Sequence, residues 1–290
     1  WEGMQRLQRD FPAAAIDLAM GDGYEILEPG PVLDHTVERL GELNEGLATI
    51  TGRPDTYRLL PEEAAERRGL APQLRLVSIA GEGRLHPGKL VARLRNDCRA
   101  AGIEMIDGCS VSSIVPQEPG FDLVTPDFGP LRTDRLLIAT NAFTPRLLPE
   151  IDLYPARNQV LVTAPLGGTV PRGSYHFHEG YVYFRSLPEN RLLIGGGRHR
   201  DPLTERTDQF GGSELIELYL MNCLKEWIPA AGADPEINYR WSGIIAQSDS
   251  GKAPIIREWR PGAVLAVRMA GMGVALSAAA AERAVGILYG

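Results

Sequence analysis

Three short stretches of this 290-residue sequence combine residue types and spacings that could do chemistry. In Gly180-Tyr181-Val182-Tyr183-Phe184-Arg185, strand alternation sends Tyr181, Tyr183 and Arg185 to one face and Val182 and Phe184 to the other. Two phenols and a guanidinium can wall a polar substrate, although a solvated sheet face carries the same pattern. In the second stretch, Gly271-Met272-Gly273 separates an apolar run, 263–267, from an Ala-rich stretch reaching Leu288, which reads as strand, turn and helix. Its glycines let backbone approach a ligand, and a helix N-terminus favours negative charge through its free N–H groups and dipole. The plainer reading is a tight turn. The third stretch, Leu136-Leu137-Ile138-Ala139-Thr140-Asn141-Ala142, is an apolar strand ending in small polar residues. It suits a backbone lying against a flat or phosphorylated ligand, though many buried strands end this way. His176 and His178 share a face but have no third ligand at matching spacing, which argues against a metal site. Only Lys89, Lys225 and Lys252 could supply a titratable amine.

Other chemistries leave no trace. The sequence has no P-loop, GxSxG elbow, HExxH or zinc-type Cys/His spacing. A strict GxGxxG is also missing: Gly21-Asp22-Gly23 lacks the third glycine, and the Gly271 motif has Leu276 in its place. The net charge of −7 argues against a nucleic-acid surface, and no apolar run reaches the roughly 18 residues of a membrane span. Cys98, Cys109 and Cys223 are odd in number and form no CxxC, which predicts reduced, mostly buried thiols in a cytoplasmic protein. The first residue is Trp1, with no signal pattern after it, so the chain reads as a fragment or a processed product.

These stretches need elements to position them. Apolar residues at Val37, Leu40, Leu43, Leu47 and Ile50 predict a helix beginning at Asp34, and Pro61 a shorter one. Pro87 opens a third helix, stopped by Gly102. Strands are expected over 103–106, 111–115, 121–125 and 136–139. Antiparallel structure is expected over 158–163, 175–185 and 191–195, with a turn at Pro188-Glu189-Asn190 joining the last two. A helix at 213–227 and strands at 237–241, 255–256 and 263–267 complete the pattern. The expectation is an α/β chain around a mixed, largely antiparallel sheet, in two domains. Residues 1–20, 86–150 and 246–290 make one domain and residues 21–85 and 151–245 the other, with a ligand cleft at their junction.

Together these segments resemble the D-amino-acid oxidase/glycine oxidase family of FAD-dependent oxidoreductases, and within it the gamma-glutamylputrescine oxidoreductase-like members. The resemblance runs in order through Gly23-Tyr24-Glu25, the stretch 135–143, the stretch 155–163, the stretch 180–185, Arg191–Gly197, Arg240-Trp241-Ser242-Gly243 and the stretch 271–275. It implies a Rossmann-like FAD-binding domain, incomplete at the N-terminus because the family's GxGxxG strand–turn–helix belongs ahead of Trp1. It also implies roles by position. Val111 meets the adenine through its backbone. Ala139, Thr140 and Asn141 lie beside the phosphates. Met269, Ala270, Gly271, Met272, Gly273, Val274 and Ala275 face the N1–C2=O edge of the flavin.

FAD is expected to be noncovalent, since Cys98 and Cys109 fall on the adenine side and Cys223 on a helix of the other domain. Where the family's amino-acid oxidases carry a carboxylate-binding arginine just after Trp-x-Gly, this sequence has Ile245. The implied reaction is hydride transfer from a primary or secondary amine to flavin N5, followed by imine hydrolysis, with oxygen or another acceptor taking the electrons. Tyr181, Tyr183 and Arg185 are the expected substrate wall, and Lys252 either binds substrate or sits near N5. The alternatives are a 2-hydroxy acid dehydrogenase of the same fold and a non-catalytic binding subunit.

Overall fold

The computed structural model describes residues 1–21 and 23–290, so the Asp22 of Gly21-Asp22-Gly23 lies outside the described residues. The chain opens with helix α1 (Glu2–Asp10), strands β1 (Ala19–Met20) and β2 (Gly23–Leu27), and helix α2 (Pro31–Thr51). Strand β3 (Tyr57–Leu59), the short α3 (Ala64–Arg67), β4 (Arg75–Ile79) and β5 (Gly83–Arg84) precede α4 (Pro87–Ala100). Then come β6 (Ser113–Pro116), β7 (Phe121–Val124), β8 (Leu131–Thr133) and β9 (Leu136–Ile138). The middle of the chain holds β10 (Tyr154–Thr163), β11 (Ser174–Phe177), β12 (Val182–Leu187), β13 (Arg191–Gly196), α5 (Glu214–Trp227) and β14 (Ile237–Gln247). It closes with β15 (Ile255–Arg260), β16 (Ala263–Val267) and α6 (Gly273–Tyr289).

Local chemistry sets these boundaries. Pro31 starts α2, and Gly52, left-handed at φ 69°, ends it. The Ser213 hydroxyl caps α5 by accepting from the Ile216 N–H. That helix buries Ile216, Leu220, Leu224 and Trp227 at helical spacing. Glu189 and Asn190 both adopt positive φ in the three-residue turn between β12 and β13, as expected at 188–190.

Eight strands form the main sheet, in the order β14-β10-β13-β12-β11-β2-β4-β3. Every neighbouring pair is antiparallel except β11 with β2. One face of this sheet packs under α5 with Tyr24, Ile26, Tyr175, Phe177, Phe184 and Ile194 buried. A separate sheet, β15-β16-β9, has β16 and β9 running parallel. Among the described residues, no helix is long and apolar enough to cross a membrane.

One strand expectation fails and another starts late. Residues 103–106 form no strand, and the strand expected over 111–115 runs as β6 from Ser113 to Pro116. Ile103, Met105 and Ile106 stand exposed there, because no neighbouring strand pairs with the run. The thiols also differ from expectation: only Cys223 is buried, while Cys98 and Cys109 are half-exposed.

Candidate active site

Registers across the main sheet bring one row of side chains together. Glu25 on β2 lies opposite His176 on β11, His176 opposite Tyr183 on β12, and Tyr183 opposite Gly195 on β13. Directly opposite residues share a face, so the row occupies the face turned away from the α5 core. Arg185 sits one step further along β12, opposite Ser174, on the same face. Val182 and Phe184 point the other way and are buried, as the alternation predicts. Gly195 is bare because the Tyr183 ring crosses it: a Cβ there would lie 2.6 Å from the tyrosine Oη. The ring then reaches β10, where Asn158 Nδ2 donates to Tyr183 Oη at 3.3 Å. The Asn158 Oδ1 is buried without a partner among the described residues. Ile245 joins this face at its β14 edge, opposite Ala156, two residues from Asn158.

Burial tunes these groups. It pushes the Tyr183 phenol up and the Arg185 guanidinium down, the latter with help from Arg84. Arg185 Nη1 donates to the Leu85 carbonyl at 2.8 Å, and the guanidinium has no carboxylate partner among the described residues. Burial first, and then the neighbouring Glu82 and Glu179, raise Glu25 to about 7. Glu82, whose carboxylate occupies the space that a side chain on Gly23 would take, is also raised by burial. His176 Nε2 stands 3.7 Å from Glu82 Oε2.

The second part of the site is backbone. Strands β9 and β16 run parallel side by side, so the segments after them, 139–141 and 268–273, emerge at one end of the sheet. Ligands of open α/β sheets bind outside the carboxyl ends of parallel strands. Asn141, left-handed at φ 44°, ties the segments together by accepting at Oδ1 from the Met269 N–H at 3.2 Å. Arg268, Ala270 and Gly271 all have positive φ. The 17-residue α6 that follows has no side-chain cap, which leaves the N–H groups of Gly273, Val274 and Ala275 directed out of its end.

Other expected positions lie apart from the row. Tyr181 precedes β12, in the turn after His178, Glu179 and Gly180, all with positive φ. Its ring packs on His199 at 4.8 Å between centroids, and Arg198 lies over it. His178 does not share the face of His176: it lies past the end of β11 and hydrogen-bonds Tyr219 Oη at 2.7 Å. Val111 is half-buried in the irregular stretch before β6, and Lys252 is exposed in the loop after β14. Glu25, Glu82, His176 and Asn158 carry no site assignment in the sequence reading. A carboxylate between the buried Tyr24 and Ile26 is the signal that could have singled out Glu25. Nothing local announces Glu82, which reaches the face from a loop.

The sequence matches the family described as FAD dependent oxidoreductase (DAO) over residues 3–286. The chain belongs to this family. A curated relative named "Probable oxidoreductase OrdL", from Rhizobium meliloti (strain 1021), is 28% identical over 240 residues, covering 80% of this chain and 54% of the relative. The chain thus spans about half the length of that relative. The fold of this chain is similar to that of glycine oxidase from Geobacillus kaustophilus, with a TM-score of 0.83 at 18% identity over 99% of this chain and 77% of that one. L-Proline dehydrogenase from P. horikoshii gives 0.82 at 15% identity, with the same coverage.

FAD is the cofactor of the DAO family, and the residues present fit its flavin end. Reduced flavin carries negative charge at N1, and the uncapped start of α6 offers N–H donors and a favourable dipole. The left-handed residues at 268, 270 and 271 turn the preceding backbone so that a planar group can approach it.

Proposed function

We propose that this chain carries the flavin-facing loops and the substrate-facing sheet of an enzyme that oxidises the C–N bond of a primary or secondary amine. FAD, when bound, supplies the hydride acceptor, and oxygen or another electron acceptor restores it. The amine leaves as an imine, which water hydrolyses. In this reading Ala139, Thr140 and Asn141 lie along the phosphates and Val111 meets the adenine. Residues Met269–Ala275 hold the pyrimidine edge of the ring. No cysteine anchors the cofactor: Cys223 is buried on α5, its thiol pushed up to about 12 chiefly by burial.

The chain's own work is positioning and electrostatics. Tyr183 and Arg185 wall the substrate side, with Tyr181 at its margin and Lys252 on the loop beyond. Glu25, near half-protonation at neutral pH, can hold the proton that an ammonium gives up before its C–H bond breaks.

One observation supports the substrate class. Ile245 occupies the β14 edge of the polar face, while Arg185 holds the opposite side with no carboxylate partner among the described residues. An aliphatic side chain offers no paired donors, and burying a substrate carboxylate there costs on the order of 2–5 kcal/mol. Simple α-amino acids are therefore expected to be poor substrates, and a larger amine with its acidic end far from the reacting nitrogen a better one. Turnover on glycine, sarcosine, D-alanine and a gamma-glutamylated diamine, with wild type and Ile245→Arg, tests this. A wild-type preference for the small amino acids, with nothing added by the arginine, would refute it. Turnover that releases neither ammonia nor an amine would favour a hydroxy-acid substrate.

A further inference from the structure

Arg268 ends the run of β16 and opens the turn that leads to α6. Its backbone is left-handed, at φ 63°, and so is that of Ala270 at φ 46°. Non-glycine residues hold this conformation only where their surroundings over-determine it. For Arg268 the surroundings are visible. The side chain is only 12% exposed. Nε donates to the Ala253 carbonyl at 2.8 Å, and Nη1 reaches the Asp152 carbonyl at 3.3 Å, Asp152 Oδ2 at 3.2 Å and Ser250 Oγ at 3.1 Å. Asp152 Oδ2 also accepts from the hydroxyls of Ser248, at 2.9 Å, and Ser250. The two serine hydroxyls are 2.9 Å apart, and the Ser250 N–H donates to Ser248 Oγ. These hydroxyls, more than Arg268, hold the Asp152 carboxyl below its usual range.

One guanidinium therefore joins three segments: the approach to β10 at residue 152, the loop 248–254, and the turn 268–273. Lys252 is next to Ala253, whose carbonyl Arg268 holds, and Met269 is next to Arg268 itself.

We propose that Arg268 is a positioning residue that makes the 248–254 loop and the 268–273 turn open and close as one unit. What this does for the flavin, namely fixing the loop that bears Lys252 relative to the ring edge, rests on the function proposed above. The coupling itself does not.

Hydrogen exchange on the full chain without cofactor tests the coupling, comparing wild type with Arg268→Gly, Arg268→Lys and Arg268→Asn. Glycine accepts φ 63°, so Arg268→Gly removes the clasp without straining the turn. The expected result is at least ten-fold faster exchange in both 248–254 and 269–275 in Arg268→Gly, with Arg268→Lys in between. Faster exchange in only one of the two segments, or in neither, overturns the proposal. If exchange in Arg268→Gly also rises through β10 to β13, Arg268→Asn, which tolerates the left-handed backbone and is too short to reach the Ala253 carbonyl, is judged by the same criterion. Adding FAD separates the two claims. Protection of 269–275 that spreads to 248–254 in wild type, but not in Arg268→Gly, supports both. Protection confined to 269–275 in wild type counts against the coupling. No protection anywhere in wild type counts against the flavin placement, while the cofactor-free result still decides the coupling.

Discussion

The eight-stranded sheet and the β15-β16-β9 sheet offer ligands different things. The first is thick, with Tyr175 stacked between Tyr24 at 5.1 Å and Phe184 at 4.7 Å, and Trp227 packed on Phe177 at 3.9 Å. That aromatic core fixes the register of its strands, so its opposite face can present Glu25, His176, Tyr183 and Arg185 at set positions. In the second sheet every residue of β16 is buried, and the strand offers no side chain to a ligand. It offers backbone instead, at the segments where β9 and β16 end. Side-chain chemistry is placed by strands and backbone chemistry by the turns that follow them, so damage to the two sheets should look different.

The largest expected effect is in the thick sheet. Arg157 on β10 is buried against Glu205, with Nη2 to Oε1 at 2.7 Å and Nε to Oε2 at 3.0 Å, and Gln159 donates to the same carboxylate at 2.9 Å. Glu205 is 1% exposed. Glu205→Ala strands a buried guanidinium and should cost about 3–5 kcal/mol, read as a lower urea midpoint. A loss below about 1 kcal/mol would mean that the pair does not hold β10 in place.

Glu25 gives a smaller effect with a pH signature. Its ordinary value is 4.5 and its folded value about 7, so between these pH values the folded chain binds a proton that the unfolded chain releases. Stability from this group therefore falls as pH rises through that window. Glu25→Gln should be more stable than wild type by on the order of 1–3 kcal/mol at pH 8 and should show no advantage at pH 4. A difference that does not change with pH would show that Glu25 is solvated like a surface carboxylate.

The smallest effect belongs to the thin sheet. Gly271 is left-handed at φ 81°, and a Cβ built on it meets nothing within 4 Å. Gly271→Ala should therefore cost only backbone strain, about 1–2 kcal/mol in thermal or urea unfolding. A loss as large as that of Glu205→Ala would mean that the turn is packed rather than open.

Much of this arrangement was legible in the sequence because it depends on local rules. Alternation placed Tyr183 and Arg185 on the face away from Val182 and Phe184, and the Gly271 stretch read as strand, turn and helix. What was not legible depends on pairing between distant segments. Whether 103–106 becomes a strand is decided by a partner, not by its own residues. His178 follows His176 by two residues, but the positive φ at 178 and 179 ends the alternation and hands its ring to Tyr219. Glu82 enters the site through the absence of a side chain on Gly23, which no local pattern records. The family resemblance supplied the flavin and the direction of the chemistry, and the register supplied the neighbours.

The parallel pairing of β2 with β11, which joins Gly23 to Ser174, also matters during synthesis. About 150 residues separate the partners, and at roughly 5–20 residues per second a ribosome needs about 10–30 s to deliver the second strand. Strand β9 waits in the same way for β16, near the end of the chain. Until then the nascent chain holds Tyr24, Ile26 and Ile138 without their mates, with strand edges open to any other extended chain. The folding risk is thus set by the order of translation, and an early-binding chaperone that covers the waiting strands should raise soluble yield.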